Sequence, residues 1–181
     1  MLTIILIVLI LFLPQSRFSQ QKQKGGGMEI KIESGAFNDG GFIPSKYTCD
    51  GNNVSPDLKW SGVPSGVKSF AIINDDPDAP SGDWVHWVLY NIPGDVTEIK
   101  ENIPPEKIFP NGMIHGINDF RKYGYGGPCP PSGIHRYYFK LYALDILLKP
   151  LPGMTKNNLL AAMQKHIIAE GHLMGKYKKN Q

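Results

Sequence analysis

Glycine and proline interrupt this sequence at short intervals, which limits the chain to a fold of short elements joined by turns. The 181 residues include 20 glycines and 15 prolines, about one residue in five, whereas globular proteins average roughly 12% for the two together. Because these residues follow no period, they indicate turns and not a collagen-like or low-complexity segment. The content of 41% hydrophobic and 19% charged residues is typical of one folded domain with a sizeable core.

The apolar residues between the turns follow the two-residue period of β-strands. Residues 28–33 alternate between apolar and charged side chains, which is typical of a half-buried strand. Three further runs, at residues 69–74, 84–92 and 136–143, predict buried strands.

Only one segment, at residues 155–170, has the spacing of an amphipathic helix. Thr155 can cap its first turn, and Gly171 can end it, because glycine tolerates the left-handed conformation that follows many helices. Residues 172–177 then predict a short closing strand. Many short strands with one late helix indicate a mainly β fold class, an antiparallel β-sandwich or barrel-like fold with few peripheral helices.

The N-terminal segment differs in composition from the rest of the chain. Residues 2–13 are apolar except for Thr3, and Pro14 and a mostly polar stretch follow. This run of about 12 residues fits the core of a signal peptide, roughly 7–15 residues, better than a bilayer-spanning helix of roughly 20. We expect a signal peptide at residues 1–20, a flexible leader at 21–28 and export, so that the protein is periplasmic or secreted. A short N-terminal membrane anchor is the alternative.

The chain has two cysteines, Cys49 and Cys129. In an exported protein an even number of cysteines favours a disulfide, which between such distant residues would stabilise the fold. The alternative is two separate thiols in the same loop region. The wide separation and the absence of a CxxC motif argue against a structural zinc site.

The net charge of +3 is modest, and lysine and arginine form no cluster that could neutralise a row of phosphates. We therefore expect no nucleic-acid partner. The spacing of histidines and acidic residues does not point to a metal, so we expect neither a metal nor a cofactor.

Histidines on two predicted strands are the first candidates for a binding site. In the predicted strand at residues 84–92, alternation puts four side chains on one face: Trp84, His86, Val88 and Tyr90. In the predicted strand that runs to residue 143, alternation puts His135 and Tyr137 together on one face. If the strands are neighbours, both histidines converge on one pocket.

Acidic residues follow the predicted strand at 69–74 and could close the wall of this pocket. They are Asp76 and Asp78, in the segment Asp-Pro-Asp-Ala-Pro. Imidazole and phenol groups donate hydrogen bonds to a phosphate-like anion, and the backbone amides of Gly126 and Gly127 can approach it closely.

Each of these residues also has a purely structural interpretation. A histidine in a strand is more often a hydrogen-bonded core residue than a ligand contact. The Asp-Pro-Asp-Ala-Pro segment forms a rigid turn on its own. There is no G-x-S-x-G motif that would indicate nucleophilic catalysis.

Several long segments together resemble the phosphatidylethanolamine-binding protein family, in its bacterial and archaeal branch of Raf-kinase-inhibitor-like proteins. These segments occur in the same order as the motifs of that family, at residues 43–60, 75–80, 83–93, 125–145 and 169–177. The resemblance implies one domain over residues 29–178, a β-sandwich with a small anion pocket. By motif, the pocket residues would be Asp76, Trp84, His86, Pro131, His135 and Tyr137, with Asp78 and Gly127 as neighbours. The loop before His135 is shorter than in eukaryotic members, so kinase regulation is the family activity least expected here.

The sequence and the resemblance together predict an exported, non-catalytic protein that binds phosphate or phospholipid head groups. Two alternatives stay open. One is a secreted inhibitor of a protease or another enzyme, which would bind its target enzyme through surface loops. The other is a hydrolase with His135 as general base. A homodimer is open in each case.

Overall fold

The computed structural model describes residues 28–151 and 153–179. They form nine strands, arranged in two sheets, and one α-helix. The strands are β1 (Met28–Glu29), β2 (Lys31–Glu33), β3 (Leu58–Ser61), β4 (Ser69–Asp76), β5 (Trp84–Pro93), β6 (Glu98–Ile99), β7 (Ile114–His115), β8 (His135–Leu144) and β9 (Ile167–Tyr177). The helix is α1 (Lys156–Met163), and a single 3₁₀ turn spans Ser45–Tyr47. The expected signal peptide, and the expected leader up to residue 27, lie outside the described residues. Within the described ranges, no helix is long and apolar enough to cross a bilayer.

The larger sheet has the strand order β1-β9-β8-β4-β5-β7, and the smaller sheet has the order β2-β3-β6. Neighbouring strands are antiparallel, except that β1 runs parallel to β9. The predicted fold class is confirmed: the described chain is mainly β, with two packed sheets and one short helix.

The main core lies between the two sheets. Trp60 of β3 packs edge-on against Phe70 of β4, with ring centroids 5.2 Å apart. Ile72 and Leu89 of the large sheet join the same cluster. A second apolar cluster covers the outer face of the large sheet, where Leu159 and Met163 of α1 and the apolar residues around them exclude water.

A β-bulge in β5 breaks the expected alternation of its side chains. Asn74 pairs with Trp87 and Asp75 pairs with Val85, so His86 has no partner residue on β4. The His86 ring therefore lies on the same side as Trp87, towards the space between the sheets, where it contacts the Tyr137 ring. The prediction that Val88 and Tyr90 share the face of His86 is wrong, since both belong to the outer cluster together with Val85.

Helix α1 is shorter than the sequence predicted. Thr155 does cap it, with its side chain accepting a hydrogen bond from the backbone N–H of Asn158. The helix ends at Met163, however, and residues 167–177 form β9, which pairs with β8 along its whole length. Gly171 is therefore a strand residue and not a helix stop: a Cβ there would lie 2.0 Å from the carbonyl oxygen of Ile30.

A disulfide joins Cys49 to Cys129 across 80 positions of sequence, with the two Cα atoms 5.4 Å apart. Both cysteines are exposed. The bridge connects the loop that follows the 3₁₀ turn to the loop that precedes β8. Closing a ring of this size stabilises the folded state by about 4 kcal/mol in the chain-entropy description.

Candidate functional site

A cavity of about 210 Å³ opens at the edge of the large sheet where β4 ends and β5 and β8 begin. Six of the predicted pocket residues line it: Asp76, Trp84, His86, Pro131, His135 and Tyr137. Three strands bring them together, because antiparallel neighbours place the end of β4 beside the starts of β5 and β8. The cavity therefore combines residues that are far apart in the sequence.

Larger depressions lie elsewhere on the described surface, among them one of about 260 Å³ beside Lys156. One of about 500 Å³ lies between β2 and β9, and one of about 570 Å³ lies on the outer face of β8 and β9. The exposed residues Glu29 and His172 form part of the walls of these two depressions. The smaller cavity is the stronger candidate, because its polar groups are buried and converge on one point.

Asp76 and His135 form a buried pair at the floor of the cavity. The Nδ1 atom of His135 lies 2.7 Å from Oδ2 of Asp76, and the two residues are 7% and 3% exposed. The other carboxylate oxygen of Asp76 accepts the backbone N–H of Asp78 at 2.9 Å, as aspartates that begin turns commonly do. Asp76 thus orients the imidazole, and Nε2 is the ring atom that remains for a ligand.

His86 is held by the loop that precedes β8. Its Nδ1 atom lies 2.6 Å from the carbonyl oxygen of Gly126, and the backbone N–H of Gly126 donates in return to the carbonyl oxygen of His86 at 2.9 Å. The bulge makes this exchange available, because His86 has no partner residue on β4. Burial lowers the pKa of His86, and the Gly126 contact opposes that shift.

Tyr137 brings an unused hydroxyl to the cavity. The residue is 0% exposed, and its oxygen makes no hydrogen bond of normal geometry to any described residue. Burial, followed by the neighbouring Asp76 carboxylate, raises the pKa of Tyr137, so the phenol keeps its proton. A buried hydroxyl without a partner costs about 1–3 kcal/mol. A ligand atom in the cavity would remove that cost.

Asp78 and Gly127 do not line the cavity. Asp78 forms an ion pair with Arg136, in which Nε and Nη2 donate at 2.8 and 2.6 Å. The backbone N–H of Gly127 donates to Oδ1 of Asn53 at 2.7 Å, and a Cβ would lie 2.4 Å from the carbonyl oxygen of Tyr47. The expectation that the amides of Gly126 and Gly127 face an anion is therefore wrong, since both N–H groups already have protein acceptors.

Phe120 is a wall residue that the sequence did not reveal. Its ring contacts those of Trp84 and His86 edge-on, at centroid distances of 5.5 and 5.3 Å. Phe120 lies in a loop that the side-chain amide of Asn118 stabilises. The amide NH₂ group donates to the carbonyl oxygen of Gly124, and the amide oxygen accepts a hydrogen bond from the backbone N–H of Lys122. No strand period marks this loop. Other wall residues that were not predicted are Ala79, Pro80, Ser81, Cys129 and Pro130.

Comparisons with known proteins agree with this architecture. The sequence profile of the phosphatidylethanolamine-binding protein family matches residues 33–178. A UPF0098 protein of Methanothermobacter thermautotrophicus is 53% identical over 150 residues, which are 83% of this chain and 99% of that protein.

Two crystal structures resemble the fold closely, each with a TM-score of 0.77. One is a phosphatidylethanolamine-binding protein homologue from Chlamydia trachomatis, which is 43% identical. The other is YbcL of Escherichia coli, described as a member of the mammalian family, which is 34% identical. Each match covers 84% of this chain and 99% of the other. The chain belongs to the phosphatidylethanolamine-binding protein family.

Proposed function

We propose that this protein binds phosphate, or a phosphorylated head group, in the cavity and leaves it chemically unchanged. The observation that carries the proposal is the buried hydroxyl of Tyr137, which has no hydrogen-bond partner of normal geometry in the described part of the chain and lies beside the rings of His86 and His135. Each imidazole has its Nδ1 atom fixed by the protein, which leaves one nitrogen per ring for the ligand. Three preoriented polar groups around one small space are a binding site for a tetrahedral polar group.

The size of the cavity supports a head group and not a whole lipid. Pockets for drug-sized ligands measure roughly 300–1,000 Å³. The present cavity, at about 210 Å³, has room for a phosphate and a few further atoms. Aromatic and proline side chains form much of its wall, and such apolar surroundings strengthen the hydrogen bonds that a ligand makes inside.

Isothermal titration of the purified protein with phosphate and with phosphoethanolamine tests the proposal. In Tyr137→Phe only the hydroxyl is lost, so we expect affinity to fall roughly 10- to 100-fold, the usual effect of one hydrogen bond to a charged ligand. The free energy of unfolding should stay equal or rise, because an unpaired buried group is removed.

Tyr142→Phe is the matched control, since Tyr142 lies on the opposite face of β8, and it should bind as the unchanged protein does. Absence of binding by the unchanged protein, or equal binding by Tyr137→Phe, would count against the proposal. Release of phosphate from phosphomonoesters during the titration would contradict a purely binding role.

We propose further that the protein acts after export. The apolar run at residues 2–13 supports this, as does the exposed disulfide, because such bonds persist mainly in oxidising compartments. Fractionation of cells that express the full chain checks the proposal. Recovery of the protein in the cytosol with residue 1 still present would overturn it.

A further inference from the structure

The hydrogen bond of His86 determines which proton its ring offers to a ligand. Nδ1 lies 2.6 Å from the carbonyl oxygen of Gly126, and a carbonyl oxygen can only accept. Nδ1 therefore carries the proton. In the neutral ring Nε2 then has a lone pair and no hydrogen, so it can accept a hydrogen bond but cannot donate one.

The surroundings of the ring keep it neutral near pH 7. His86 is 3% exposed and lies between the rings of Phe120 and Tyr137. Burial lowers the pKa of His86, although the carboxylates of Asp76 and Asp119 act in the opposite direction. Both carboxylates are already engaged, by the His135 ring and by the backbone N–H of Val85.

Two other polar side chains of the same cavity, Tyr137 and His135, differ from His86 in what they offer a ligand. Tyr137 keeps its proton and can donate to any oxyanion. His135 is oriented by Asp76 and presents Nε2. The carboxylate of Asp76 can pair with a cationic His135 ring, whose Nε2 then donates, whereas the uncharged carbonyl of Gly126 leaves His86 as a neutral acceptor.

We propose that His86 makes this pocket selective for oxyanions that carry a proton. Inorganic phosphate and the monoanions of phosphomonoesters meet this requirement with their P–OH group. Sulfate and phosphodiesters without an amine do not, because every oxygen that they turn towards Nε2 has only lone pairs. The inference rests on the proposed function and names the ligand class of the same site.

The expected selectivity follows from the cost of an unpaired acceptor. A site that hydrogen-bonds a ligand hydroxyl rejects the analogue that lacks it, because the buried site atom is left without a partner. We expect sulfate and dimethyl phosphate to bind at least about tenfold more weakly than phosphate at pH 7. Sulfate matches hydrogen phosphate in shape and charge, so a difference between these two ligands reports on the proton.

Methyl phosphate gives a second, independent measurement. Its second pKa is about 6, so it loses its last P–OH above that pH, whereas phosphate keeps one. The affinity ratio of methyl phosphate to phosphate should therefore fall as pH rises from 5 to 8.

A substitution at His86 tests the assignment of the residue. In His86→Gln the side-chain amide can donate, so the preference for phosphate over sulfate should fall towards one. His172→Gln is the matched control, because this exposed histidine lies on the outer face of β9, and the preference should not change. An unchanged preference in His86→Gln would overturn the proposal.

Long-range ¹H–¹⁵N correlation of the histidine rings keeps the test independent of any variant that fails to fold. At pH 7 the unchanged protein should give an Nδ1–H signal for His86, with Nε2 unprotonated. A cationic ring, the opposite tautomer, or equal affinity for sulfate and phosphate overturns the selectivity alone. Failure of every oxyanion to bind overturns the proposed function together with it.

Discussion

The carboxylate of Asp78 accepts three hydrogen bonds from Arg136. Two come from the guanidinium group and one from the backbone N–H. The hydrogen bonds from the Arg136 side chain lower the pKa of Asp78 from 3.8 to about 2. A carboxyl group whose pKa is lowered on folding stabilises the fold above its unfolded pKa, and this contribution disappears as pH falls through the folded pKa.

Asp78→Asn should therefore reduce the free energy of unfolding at pH 7 and change it little near pH 2. The difference should shrink mainly between about pH 4 and pH 2, as urea unfolding across this range would measure. Phosphate affinity should stay unchanged, because Asp78 lies outside the cavity wall.

Asp95→Asn is the control for this pH profile, since Asp95 is exposed and has no side-chain hydrogen bond to the described residues. A loss of stability in Asp78→Asn that persists at pH 2 would show that shape, and not charge, is what the position needs.

At the scale of one strand, β9 depends on a glycine where β1 approaches it. The backbone of Ile30 donates to the carbonyl of Glu170 at 2.9 Å, and a Cβ on Gly171 would collide with the Ile30 carbonyl. Gly171→Ala should lower the free energy of unfolding by roughly 1–3 kcal/mol, the usual cost of overpacking. Thermal unfolding measures this, with exposed Glu170→Ala as the neighbouring control. Equal melting temperatures of Gly171→Ala and the control would refute the close approach.

The same strand shows where the sequence was an insufficient guide. The apolar spacing of Leu159, Leu160, Met163, Ile167 and Ile168 fits one helical stripe. The chain nevertheless leaves the helix at Met163, because residues 167–177 pair with β8, and tertiary contacts override a local period. The buried strands β4, β5 and β8 were predictable because their apolar runs are long and bounded by turns.

At the scale of the whole molecule, the disulfide ties the cavity wall to a distant loop. Cys129 lines the cavity, and the backbone N–H of Cys49 donates to the carbonyl of Pro128 at 3.1 Å. Replacing both cysteines by serine should lower the free energy of unfolding by about 2–5 kcal/mol and weaken phosphate binding at 25 °C. Calorimetry and titration measure the two effects. A double variant with the melting temperature and affinity of the unchanged protein would contradict this role of the bridge.

The cavity could be predicted from the sequence only as a set of residue names. Motifs pointed to six wall residues, because the segments that carry them are distinctive. Phe120 lies in an irregular loop with no such pattern. The backbone N–H of Gly127 donates to the side chain of Asn53, which lies in a distant loop, and no local sequence pattern predicts this contact. Which hydrogen bonds a group makes depends on loops that meet only in the folded chain.

Because His86 has no partner residue on β4, the shape of the cavity depends on the number of residues in β5. If one residue were removed between Trp84 and Trp87, strict two-residue alternation would return along the strand. Trp84 would keep its face, but His86 would be either the residue removed or the one turned to the side of the helix, so the pocket would lose its imidazole. Relatives that are one residue shorter at this point would keep both sheets and yet lack the proposed binding site.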